Sequence, residues 1–219
     1  MTALGLGFLV WTGCATSRGI LEVPLTVGDN LAQGREVKIE RVSDRRTFQL
    51  KPPDPSTPSL KDGAIDNPAI TSRAIARKRS GYGMAMGDIL LPEGQTAEQL
   101  VGTALTRGLR GGGFRVLLPG QEGYEQAIPL EADIRQFWAW FSPGFFAAHL
   151  EFEARIQVTG PVEPFVRSEE YRGYVRLATQ AATSRAWLNT VSKGLENLDD
   201  EMRTRLRGGA PPSKPYSMR

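Results

Sequence analysis

The chain has a single cysteine, Cys14, and a single histidine, His149, among its 219 residues. One cysteine excludes an intrachain disulfide, and one of each excludes the usual Cys/His zinc sites. The formal net charge is only +3; nucleic-acid binders concentrate a basic face, so this excess gives no reason to expect a nucleic-acid partner. "GYGMAMG" carries Gly81, Gly83 and Gly87 at the wrong spacing for a dinucleotide fingerprint, and "GLRGGGF" lacks the Lys-Ser/Thr of a phosphate-binding loop. Both read as turns. No "GxSxG" elbow supplies an activated serine. What remains, 40% hydrophobic and 23% charged, is ordinary globular usage and enough chain for one domain with a real core.

The first positive signal lies at the start. Residues 3–11 are apolar over the length of a signal-peptide core, much too short to span a bilayer, and they run into Thr12, Gly13 and Cys14. This stretch resembles the lipobox of bacterial lipoproteins, in which small residues precede a cysteine. The resemblance implies that residues 1–13 are a signal peptide, that the Cys14 thiol carries a diacylglyceryl group, and that the amine freed by cleavage is acylated. Three acyl chains exceed the two signals needed for stable anchoring. The other reading is a free cysteine buried in a first core strand; the polar "ATSRG" that follows at once favours the lipobox. In the sorting pattern this resembles, Asp at position 16 favours retention in the inner membrane. Thr16 stands there, which implies the outer membrane, with the body facing the periplasm.

Residues 14–34 read as a lipidated tether, polar and turn-rich, with a short strand possible in "ILEVPLTV". A single domain is expected over residues 35–207. "REVKIERV" alternates as a strand, with Val37 and Ile39 on one face and Lys38 and Glu40 on the other. Prolines 52, 53, 55, 58 and 68 make residues 51–70 a long surface insertion rather than a strand or helix. "ITSRAIARKRSGYGMAMGDILL" holds two short strands, and Arg73, Arg77, Lys78 and Arg79 form either a solvated edge or a site for an acidic partner. Thr96 and Gln99 make a capping box, and Leu100, Val101, Ala104, Leu105 and Leu109 make one helical stripe. Gly111 to Gly113 end the helix and "FRVLLP" follows as a strand, an order that invites a right-handed crossover.

"LEADIRQFWAWFSPGFFAAHLEFEARIQVTG" reads as a long hairpin turning at Ser142, Pro143 and Gly144, with core and wet faces alternating along the second arm. "EEYRGYVRLA" adds a strand carrying Tyr171, Val175 and Leu177. Leu188, Val191, Leu195, Leu198 and Met202 recur at helical spacing in a long final helix from about Thr179 to Leu206. That stripe suits packing on the sheet better than a coiled-coil seam, being short for the latter. Residues 208–219 read as a disordered tail. The expected fold is α+β: a mixed β-sheet with a long antiparallel hairpin and two helices packed on one face.

The lipobox, "VKIERVSDRRTF", "GYGMAMGDI", "LRGGGFRVL", the hairpin and the final helix together resemble the YajG-type bacterial envelope lipoproteins, an uncharacterised family. The layout is also similar, more weakly, to the auxiliary lipoproteins of ABC-type lipid transporters. The first resemblance implies an envelope lipoprotein and no reaction, cofactor or metal. A non-enzymatic binding or scaffold module with an envelope protein partner is therefore expected, ahead of a hydrolase.

Five residues are candidates for partner binding. Asp44 and Arg46, at the end of the first strand, either pair to fix the loop or meet a partner. His149 has Glu151 two residues along the same strand face, close enough to orient it, but an exposed strand histidine is the commoner case. With a two-residue turn at Pro143-Gly144, Phe141 faces Phe146 and Phe137 faces Leu150 on the core side. Trp138 and Trp140 then share the opposite face with His149. Either they form an open aromatic binding surface, or the chain's own Pro-rich segment covers them.

Overall fold

The computed structural model describes residues 18–30, 32–80, 84–144 and 147–208. The expected signal peptide, Cys14, Gly81, Gly83, Phe146 and residues 209–219 lie outside them. In chain order the strands are β1 (Gly19–Ile20), β2 (Glu36–Asp44), β3 (Ala74–Arg79), β4 (Ala85–Leu90), β5 (Arg115–Val116), β6 (Ile128–Ser142), β7 (Ala148–Thr159) and β8 (Glu169–Thr179). The helices are α1 (Pro68–Thr71), α2 (Ala97–Gly111) and α3 (Ser184–Leu206).

All eight strands form one sheet around β6. Along one edge β6 pairs antiparallel with β7, which pairs with β8. Its other edge is shared: β2 runs parallel to residues 128–134, and β3 takes over at Ala76–Ala139. β5 then flanks β2, while β4 and β1 flank β3. The sheet is mixed and carries the long hairpin, so the architecture is α+β as the patterning implies.

Period-two alternation decides which side chains face the helices. Phe137 and Ala139 on β6, and Leu150, Phe152, Ala154, Ile156 and Val158 on β7, join Val191, Leu195, Leu198 and Met202 of α3 in the main core. α2 adds Leu100, Val101, Ala104, Leu105 and Leu109, behind the expected capping box at Thr96. Glycines let α3 lie close to the sheet: a Cβ on Gly194 would enter the Phe152 ring, and one on Gly173 would strike the backbone of Gly194 and Leu198. The stripe on α3 is core packing, and α3 starts at Ser184 rather than near Thr179.

Four expectations need correction. Residues 19–30 are not a free tether: β1 pairs with β4, Leu21 and Val23 are buried in the core, and the Asn30 amide donates to the Val116 carbonyl at 2.9 Å. No crossover links β4 to β5, because β4 runs antiparallel to β3 and therefore opposite to β6, β2 and β5. Phe141 pairs with Leu150, and Phe137 with Ala154, so the hairpin loop is longer than two residues. The Pro-rich stretch is more than a surface excursion. It packs against the sheet face opposite the helices, where Phe48, Leu60, Ile65 and Ile70 meet Trp138 and Trp140 in a second core.

Candidate functional site

Asp44 and Arg46 sit where β2 leaves β6 and before β3 arrives, a gap that exposes backbone carbonyls. The Arg46 guanidinium fills it. Its Nη1 donates to the carbonyls of Ala74 at 2.6 Å and Phe137 at 3.0 Å, its Nη2 to Thr71 at 2.8 Å, and its Nε to the Asp44 carboxylate at 2.8 Å. The side chain is 0% exposed. The planar fork suits this many acceptors in one plane. Of the two readings the structure takes the structural one, and the pair is not a partner surface: a guanidinium sealed in by its own chain cannot meet a second protein.

Trp138 and Trp140 face away from Phe137, as the period of two requires, but they are not open. Trp138 is 0% and Trp140 7% exposed. Phe48 meets Trp138 edge-on with ring centroids 5.9 Å apart, and Tyr174 of β8 tilts against Trp140 at 6.3 Å. The binding-face expectation is therefore corrected for both. Large aromatics are costly to leave in water, and the Pro-rich segment supplies the apolar cover.

His149 is half-buried opposite Ser142, and its Nδ1 lies 3.3 Å from an Arg176 nitrogen. Glu151 is committed elsewhere. It accepts a short hydrogen bond from the Tyr174 hydroxyl and pairs with Arg176 at 3.6 Å. Burial, followed by this carboxylate, pushes the Tyr174 hydroxyl well above its ordinary value. The four side chains act as cross-strand ties, and His149 and Glu151 form no hydrogen-bonded dyad.

Elsewhere, a groove of about 370 Å³ lies where the β1–β4–β3 edge meets the start of α3. Leu21, Ile89 and Trp187 give it an apolar floor, with Met86 on the wall. Lys78 and Arg79 stand on the strand side, and Thr183 and Ser184 on the helix side. Lys78 reaches across β4, so that a Cβ on Gly19 would lie 3.0 Å from its Nζ. The four-residue basic run thus splits by position. Arg77 is buried, Arg73 donates to the Leu91 carbonyl at 2.9 Å, and Lys78 and Arg79 line the groove. Sequence reasoning missed this groove because it assigned Gly19 to Leu21 to a tether. Trp187, four residues before Val191 and eight before Leu195, was the available signal.

No family model and no curated protein sequence matches the chain. Two of the solved structures to which it is similar are these. One is a crystal structure of an uncharacterized protein, 10% identical, with a TM-score of 0.44, covering 88% of this chain and 98% of the other. The second is a Xanthomonas campestris protein of family DUF330, 12% identical, with a TM-score of 0.44, covering 84% and 91%.

Proposed function

We propose that this chain is a lipid-anchored outer-membrane lipoprotein of the YajG type, facing the periplasm and serving the cell envelope as a non-enzymatic binding or scaffold module. The observation that carries the reading is the short distance from Cys14 to the first packed residue. β1 already pairs with β4 at Gly19, and Leu21 is in the core. Five extended residues span at most about 17 Å. A domain anchored at Cys14 is therefore held against the bilayer by its β1–β4 edge, instead of exploring the periplasm on a long leash. Such a position suits a protein that meets a membrane-bound partner.

The test is Cys14→Ala in cells fed labelled palmitate. The wild-type chain takes up label and loses residues 1–13, whereas the variant takes up none and stays at precursor length. Label on the variant contradicts the reading.

A further inference from the structure

β8 pairs with β7 along one edge and, among the described residues, has no strand along the other. The outer edge of a sheet presents the N–H and C=O of every second residue, a template onto which a further strand can pair. Here α3 reaches that edge instead. The Asn197 side-chain amide donates to the Tyr174 carbonyl at 2.7 Å, Glu201 accepts from the Arg172 backbone amide, and the Arg205 guanidinium donates to the Glu170 carbonyl. By the period of two, Arg176 and Ala178 face outward as well. The cover stops short of them, and both are exposed.

The two periods match. Asn197, Glu201 and Arg205 are four residues apart, about 6 Å of helix rise at each step, and their targets are two apart, about 6.8 Å of strand. α3 runs antiparallel to β8, so one side chain per turn stands in for a neighbouring strand. Arg205 is held further by Glu169, by Glu201 and by the Tyr171 ring, whose centroid is 4.7 Å from its guanidinium carbon.

Under this cover the strand is complementary to itself. Two copies of β8 laid antiparallel about Gly173 set Glu170 opposite Arg176 and Arg172 opposite Tyr174, each twice. Both pairs match outward-facing residues, as a hydrogen-bonded register requires. Opposite charges, and a cation beside an aromatic ring, are favourable cross-strand neighbours, and a two-fold contact repeats each of them. The neighbouring registers with the same outward matching are repulsive: centred on Arg172 they set that arginine against itself, and centred on Tyr174 they set it against Arg176.

We propose that β8 is a latent pairing edge for a second copy of this chain, held shut by Asn197, Glu201 and Arg205 of α3. The device stands on described residues alone and does not depend on an acyl group at Cys14.

The test uses the full chain carrying Cys14→Ser, so that no lipid drives association, and sedimentation velocity over a concentration series. The starting chain is expected to stay monomeric. Asn197→Ala/Glu201→Ala/Arg205→Ala, with an unchanged circular dichroism spectrum, is expected to form a dimer at least about tenfold more tightly than the starting chain does. Should that variant fail to fold, Asn197→Ala/Arg205→Ala decides the matter in its place. Adding Glu170→Arg, at an exposed position, sets arginine against arginine twice and is expected to weaken the dimer by about tenfold or more. Folded variants that remain monomeric overturn the proposal. A dimer that Glu170→Arg leaves undiminished also overturns it, because association then uses another surface. Self-association of the starting chain as tight as that of the variant overturns it too, since the edge is then not shut.

Discussion

Arg46 is the residue on which the junction of β2, β3 and β6 depends, because its guanidinium satisfies the carbonyls of Thr71, Ala74 and Phe137 together with the Asp44 carboxylate. Arg46→Ala removes the shared donor from those carbonyls and leaves the Asp44 carboxylate with only the residue-46 backbone amide, 3.1 Å away. The expected cost is about 3–5 kcal/mol of folding free energy, measured by urea denaturation. Arg46→Lys is expected to recover little, since one ammonium cannot reach acceptors spread around a planar fork. A loss below about 1 kcal/mol in the Ala variant contradicts this role. The pairing with Asp44 is legible in the sequence because the two residues are two apart. The carbonyls are not, because positions 71, 74 and 137 belong to elements that only the fold brings together.

At the scale of elements, the α2–α3 contact holds an acid under strain from burial. Gly108 and Gly112 lie against Met202 and Leu206, so the helices pack closely, and Asp199 is 8% exposed between them. Burial pushes its carboxyl from 3.8 up to about 6, against the pull of Arg107, 2.8 Å away, and of Arg203. The folded chain therefore holds this proton more tightly than the unfolded chain. Its contribution to stability falls as pH rises from about 4 to about 6, then levels off. Asp199→Asn is expected to remove that fall and to raise stability at pH 7 by about 1–2 kcal/mol relative to wild type. Urea denaturation near pH 4.5 and pH 7 checks it; a variant less stable than wild type at pH 7 shows that the Arg107 pair outweighs burial. The elements themselves were largely readable. The Thr96 capping box, the alternation of β7 and the stripe of α3 each carry a local period that packing reinforces. The cover over Trp138 and Trp140 carries no period. Residues 45–73 are irregular chain with short helical segments, so only the position of two tryptophans on the face away from the helices hinted that something must lie over them.

For the whole molecule, pairing between residues far apart in the chain sets where the groove stands. Residues 19–30 look like a linker by composition, yet Leu21 and Val23 complete the main core and β1 extends the sheet. A two-residue strand has too little sequence to show a pattern, and its partner β4 is about 70 residues away. This packing brings the groove to the edge where the chain leaves toward Cys14. Among the described residues no helix is long and apolar enough to cross a membrane. The account rests on the modification at Cys14, and intact-mass spectrometry of the protein extracted from envelopes measures it directly. The expected mass is that of residues 14–219 with a diacylglyceryl group on the thiol and a third acyl chain on the amine. An unmodified mass that retains residues 1–13 would contradict it.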